Sequence, residues 1–186
     1  MYWYNKPLNK ITVYLIAGLV LLLAINSCKS DSHSATDTSK FFDIKGYFKA
    51  DSARLSKLNP LVDKRVVHNG ITETKKVHIA NWGTELSLFS ESDINKPAWK
   101  ASYNVQTTDD FLIYKAKDPS LKTQRITIKR EGERLKWIMI VNHTKNILYE
   151  SYEKLSYFPD SLYLIQKKQS VRVLGTDIYK ISGSLN

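Results

Sequence analysis

Apolar residues recur at helical spacing over residues 40–59. Phe41, Phe48 and Leu55 fall seven apart, and Ile44 and Leu58 sit three places after the first and last of them. Asp51 interrupts the second row, and Gly46 weakens the interior by about 1 kcal/mol relative to Ala. Ser39 or Thr38 is a fitting N-cap, and Asn59-Pro60 supplies a stop, because the residue before proline is pushed out of the helical region. A hairpin follows. Leu61 to His68 and Ile71 to Ile79 flank Asn69-Gly70, a pair that accepts the positive φ angles of a type I′ turn. That register sets Asp63 against Lys76, Arg65 against Thr74, His68 against Ile71 and His78 against Leu61. Asn81 to Ile94 predicts a second helix with Trp82, Leu86 and Phe89 on one side. Pro97 ends it or starts a short turn carrying Trp99 and Tyr103.

From about residue 109 the period changes to two. Strands are predicted over 111–116, 121–130, 134–142, 145–156, 162–168 and roughly 177–184, with turn residues such as Asp118-Pro119-Ser120 and Glu131-Gly132-Glu133 between them. Leu135, Trp137, Met139 and Val141 share one face of their strand, while Ile138 and Ile140 lie on the other. That strand is therefore expected to be central and covered on both sides. Short connections imply an antiparallel meander. The expected fold is α+β: a curved antiparallel sheet, built from the meander plus the N-terminal hairpin, with two helices packed on one face.

The first thirty residues change the picture. Lys6 and Lys10 make a positive start, and Ile11 to Ile25 is an uncharged run of 15 residues. Secretory apolar regions run about 7–15 residues, whereas a membrane-spanning helix needs roughly 20. The run ends in Ile25-Asn26-Ser27-Cys28, which holds the one cysteine of the chain. This segment resembles the lipobox of bacterial lipoproteins, which reads aliphatic, variable, small, Cys. The resemblance implies a diacylglycerol thioether on Cys28, cleavage before it and fatty acylation of the new amino group. It divides the chain into a signal peptide (1–27), a lipidated Cys28 with a tether (28–39) and one domain (40–186). Residues 29–39 contain no large apolar side chain and cannot join a core. Lys29, where an Asp would favour retention in the inner membrane, implies the outer membrane by the same resemblance. With Cys28 alone, the folded body has no disulfide.

Removal of residues 1–27 leaves 186 − 27 = 159 residues, enough for one self-standing domain. Lys and Arg then number 28 − 2 = 26 against 18 Asp and Glu, a formal +8. In an exported, lipid-anchored domain that charge points to anionic lipid head groups or acidic glycans, not to nucleic acid. Lys75-Lys76 and Lys167-Lys168 also fit solvated strand faces and edge protection.

Chemistry is sparse. His33, His68, His78 and His143 show no metal-ligand spacing, and no nucleophile elbow, phosphate loop or paired cysteine occurs. Asp109-Asp110 and Glu131/Glu133 sit at turns. No cofactor is expected. Asp51-Ser52-Ala53 and Asp160-Ser161-Leu162 resemble an O-glycosylation acceptor of some Gram-negative lineages. Tyr103, Tyr114, Trp137, Tyr149, Tyr152, Tyr157, Phe158, Tyr163 and Tyr179 crowd the strand-rich half, either as core or as the lining of a pocket between helices and sheet. The element order is similar, in architecture only, to the half-barrel of envelope lipoprotein carriers and receptors.

The leading expectation is a non-enzymatic envelope lipoprotein, anchored through Cys28, that binds a hydrophobic or anionic envelope component. The alternatives are a structural or assembly subunit docking on another envelope protein, and a hydrolase of glycan or lipid. A pocket or basic face, an exposed apolar patch, and converging titratable groups in a cleft distinguish the three.

Overall fold

The structure, a computed structural model, describes residues 41–185; the predicted signal peptide, Cys28 and the tether lie outside the described residues. Helix α1 runs Ile44–Leu58. Its cap is Asp43, later in the chain than the expected Ser39 or Thr38, and its side chain accepts from the Gly46 amide at 2.7 Å. The two residues before the cap are held elsewhere. The Phe42 amide donates to the Tyr114 hydroxyl at 2.8 Å and the Phe41 amide to Asn95 Oδ1 at 3.3 Å. At the other end Asn59 takes the left-handed conformation, φ 45°, and its amide donates to the Leu55 carbonyl at 2.9 Å.

The hairpin pairs β1 (Leu61–His68) with β2 (Ile71–His78) in the register expected from Asn69-Gly70, with φ of 49° and 88° at the two turn residues. The predicted helix over 81–94 is instead two single turns, α2 (Trp82–Glu85) and α3 (Ser87–Ser90), broken at Leu86. Gly83 and the serines are poor helix formers, and the Ser90 and Ser92 hydroxyls donate back to the carbonyls of Ser87 (2.9 Å) and Leu88 (2.7 Å). Trp82, Leu86 and Phe89 nonetheless reach the core together.

Seven further strands follow a short 3-10 turn: β3 (Tyr103–Thr107), β4 (Phe111–Ala116), β5 (Thr123–Glu131), β6 (Arg134–Lys145), β7 (Tyr149–Phe158), β8 (Leu162–Val171) and β9 (Gly175–Leu185). Residue 103 was expected in a turn, but Tyr103 opens an edge strand, and it is the only buried residue in that strand. The strand expected over 145–156 begins only at Tyr149; Lys145 ends β6, and Ile147-Leu148 form the turn between them. All nine strands form one antiparallel sheet in the order β2-β1-β9-β8-β7-β6-β5-β4-β3, so β9 closes the meander onto the hairpin. The fold is α+β, a curved sheet with its helices on one face.

The core lies under those helices. Ile126, Ile128, Ile138, Ile140, Leu155, Tyr157, Tyr163 and Ile165 face Phe48, Leu55, Trp82, Leu86 and Phe89. Strand β6 is interior to the sheet, as expected, but covered on one side only. Ile138 and Ile140 are fully buried, whereas Trp137, Met139 and Val141 remain half-exposed on the open face. Both faces of that strand are apolar, so alternation alone does not tell which side the helices choose.

Candidate functional site

The space between helices and sheet is filled by rings. Phe48 meets Tyr157 at 5.0 Å and Phe89 at 4.9 Å, Trp82 meets Tyr163 at 6.1 Å, and Phe41 meets Tyr114 at 5.2 Å between centroids. Tyr103, Tyr114, Tyr157 and Tyr163 therefore belong to the core. Each of these four tyrosine hydroxyls has a partner. Tyr157 donates to Asp51, Tyr163 to Glu85 at 2.6 Å and Tyr103 to the Thr123 carbonyl at 2.9 Å. Burial raises the pKa of all three, that of Tyr103 to about 12, and for Tyr157 and Tyr163 the facing carboxylates add to it.

A polar cluster sits above this core. The Asn142 amide donates to Ser92 Oγ at 2.8 Å and to Glu153 Oε2 at 3.2 Å, and Lys167 lies 3.5 Å from Glu153. Here Lys167 pairs on the helix-covered side, whereas its neighbour Lys168 points to the open one. Lys75 and Lys76 lie on the edge strand β2 beside Glu73 (3.5 Å) and Asp63 (3.8 Å), as edge protection requires.

A surface cleft of about 500 Å³ lies where α1 meets the β7–β8 and β5–β6 turns, lined by Tyr47, Asp51, Arg54, Arg134, Phe158 and Asp160 among others. Its carboxylates are already engaged. Arg54 bridges Asp51 at 2.6 Å and Asp160 at 2.6 Å, and Asp51 also accepts from Tyr157. Asp51, which interrupts the apolar row of α1, is thus a core residue with two partners, and no free acid and base face each other here. Ser52 is buried, its hydroxyl 3.4 Å from the Trp82 carbonyl, and is closed to glycosylation; Ser161 is exposed.

The three described histidines, His68, His78 and His143, each have separate partners. His68 stacks on Tyr179 at 4.2 Å and meets Asp177 at 3.1 Å, His78 Nδ1 lies 2.9 Å from the Asn59 carbonyl, and His143 meets Glu150 at 2.8 Å. Among the described residues no three His, Cys, Asp or Glu side chains converge as metal ligands.

The open sheet face is different in kind. Register aligns Lys115, Arg125, Val141, Lys154, Gln166, Lys180 and Val67 in one row across seven strands, from β4 to β1. The next row holds Tyr152, Lys168 and Ile178. Among the described residues no carboxylate lies within 4.0 Å of Lys115, Arg125, Lys154, Lys168 or Lys180. Between these cations runs a shallow, mostly apolar groove of about 470 Å³ whose walls include Val67, Tyr152, Ile178 and the stems of Lys154, Lys168 and Lys180. Alternate cations in the row, such as Lys154 and Lys180, stand about 10 Å apart across two strand spacings. A carbon-walled trough rimmed by unneutralised ammonium groups suits a molecule with an apolar body and a negative head. Lys154 and Lys180 gave no signal in the linear sequence; only the pairing of strands makes them neighbours.

No family model, no curated protein and no solved structure matches this chain.

Proposed function

We propose that the chain is a lipid-anchored envelope protein, held at the outer membrane through Cys28, whose domain binds an anionic amphiphile on its open sheet face without catalysing a reaction. The observation behind this reading is the groove between Lys154, Lys168 and Lys180, cationic at its rim and apolar in its floor. An acyl chain would lie along Val67, Tyr152 and Ile178 while its head group takes the place of the missing carboxylates. The lipobox supports the anchor, because two or three acyl chains hold a protein on a bilayer where one does not.

The groove is tested with the full chain in neutral detergent and cis-parinaric acid, a fluorescent fatty acid, as probe. Lys154→Glu with Lys180→Glu should weaken binding tenfold or more, and the effect should shrink with added salt. Equal affinity of parent and variant would reject the groove. The anchor is tested separately by mass spectrometry of the mature N-terminus: a diacylated Cys28 supports it, and an intact Met1 start rejects it.

A further inference from the structure

Antiparallel order brings the turns β1–β2, β4–β5, β6–β7 and β8–β9 to one end of the sheet, and the last two stand apart from the polar Asp118-Pro119-Ser120 of β4–β5. Two of them are joined directly, as the Arg172 amide donates to the Leu148 carbonyl at 2.9 Å. Turns in water are normally polar. These hold Ile147 at 82% exposure, Leu148 at 70%, Val173 at 100% and Leu174 at 85%. At the opposite end the turns read Thr108-Asp109-Asp110, Glu131-Gly132-Glu133 and Pro159-Asp160-Ser161, without an exposed aliphatic residue. One fold therefore has an acidic end and a greasy end. Val173 even sits at φ 102°, a conformation that costs a β-branched residue strain and that Gly or Asn would adopt more easily.

Two basic side chains, Lys145 and Arg172, flank the two greasy turns. Arg172 has no carboxylate within 4.0 Å among the described residues, and the nearby acids are occupied. Glu150 is held by His143 at 2.8 Å and Lys145 at 3.6 Å, and Asp177 by His68 at 3.1 Å and Asn69 at 2.9 Å. Four aliphatic side chains on two protruding turns are too small an area for a stable protein–protein contact, which buries upwards of about 1,000 Å². They suit a fluid acyl boundary, where apolar burial adds to the attraction of basic residues for anionic head groups. Phe41 lies 13 residues beyond Cys28, a stretch that spans at most about 45 Å.

We infer that the β6–β7 and β8–β9 turns form a wedge that seats in an anionic lipid surface, with Ile147, Leu148, Val173 and Leu174 among the acyl chains and Lys145 and Arg172 at the phosphates. The wedge does not depend on the groove binding a ligand. It would give the domain a second membrane contact besides the anchor and fix its orientation.

The full chain is spin-labelled at Val173→Cys, at Ile147→Cys or, as a control, at Glu133→Cys on the acidic end, with the unlabelled-site parent as background. Each is reconstituted in vesicles of phosphatidylcholine with phosphatidylglycerol. Labels at 173 and 147 should become accessible to oxygen and shielded from a water-soluble nickel chelate, while the label at 133 stays aqueous. Adding Lys145→Glu and Arg172→Glu should return both tip labels to water, since each charge contributes about fivefold to membrane partitioning. Tip labels as aqueous as position 133 in these vesicles would overturn the wedge. So would tip labels shielded in the vesicles from oxygen and the chelate alike, the signature of contact with a second copy or another protein. Lys154→Glu with Lys180→Glu should leave the tip labels immersed, so loss of the groove and loss of the wedge read out separately.

Discussion

The ring of Tyr163 on β8 occupies the space above Gly183 on β9, its direct cross-strand partner. Gly183 in turn faces Lys64 on β1. With no side chain between them, the Tyr163 hydroxyl reaches Glu85 at 2.6 Å, and Glu85 binds Lys64 at 2.7 Å. One bare position thus lets the α2 turn, β8 and β1 share a single half-buried carboxylate.

Gly183→Ala should destabilise the domain by about 1–3 kcal/mol, as overpacking of a filled core does. A Cβ there would overlap the Tyr163 ring itself, which is pinned by Trp82 and Glu85 and has little room to yield. The backbone is ordinary extended strand, so the cost is space and not conformation. Urea unfolding checks it. In a Tyr163→Leu background the same change should cost clearly less, and additive losses would disprove the contact.

Asp51 and Tyr157 should behave as one unit. Tyr157→Phe strands a buried carboxylate that still has Arg54, whereas Asp51→Ala leaves both the hydroxyl and the guanidinium short of a partner. We expect about 2–4 kcal/mol lost for Asp51→Ala, less for Tyr157→Phe, and a double variant well short of the sum. Asp51→Asn, which keeps an acceptor, should recover part of the loss. A double-variant cycle in denaturant measures this; independent effects would show that the hydroxyl and carboxylate do not interact.

Much of this architecture was legible in the chain because its signals are local. Asn69-Gly70 fixed the hairpin register, and turn residues bounded most strands of the meander. What stayed hidden depends on distant pairing. Strand β3 buries only Tyr103, so it has no alternation to read. Asp51 looked like a fault in a helical row because its partner Tyr157 is 106 residues away. Lys154 and Lys180 become a site only when β7, β8 and β9 align. Ile147-Leu148 read as the start of a strand, since an apolar pair beside Tyr149 gives no local sign that it is a turn left bare.

The hairpin turn separates backbone from side-chain effects. Asn69 holds φ 49°, and its side chain accepts from the Ile178 amide at 2.9 Å and donates to Asp177 at 2.9 Å. Asn69→Gly keeps the conformation but loses both bonds, and Asn69→Ala loses both and adds strain. We expect about 1 kcal/mol for the glycine and about 2 kcal/mol for the alanine. Equal losses would mean that the left-handed backbone contributes nothing at this position.

Stability should fall on the alkaline side, and the sign follows from the tyrosines. Tyr47, Tyr103, Tyr114, Tyr157 and Tyr163 all have folded pKa values raised above 10.0, with burial the largest cause in each. Below pH 10 both folded and unfolded chains keep these phenols protonated, and their contribution is fully present. Above 10 the unfolded chain releases protons that the folded one retains, so unfolding becomes favourable as pH rises, with up to one proton released per tyrosine. Depressed carboxylates such as Glu150 and Asp177 act in the opposite window, because their contribution is lost only in acid. Denaturant midpoints measured from pH 8 to about 11.5 should therefore hold level and then drop steeply beyond 10. Tyr157→Phe should lower stability at pH 8 yet flatten the alkaline slope by about one proton. A slope unchanged by that substitution would mean that the Tyr157 phenol ionises as freely in the folded domain as in the unfolded chain.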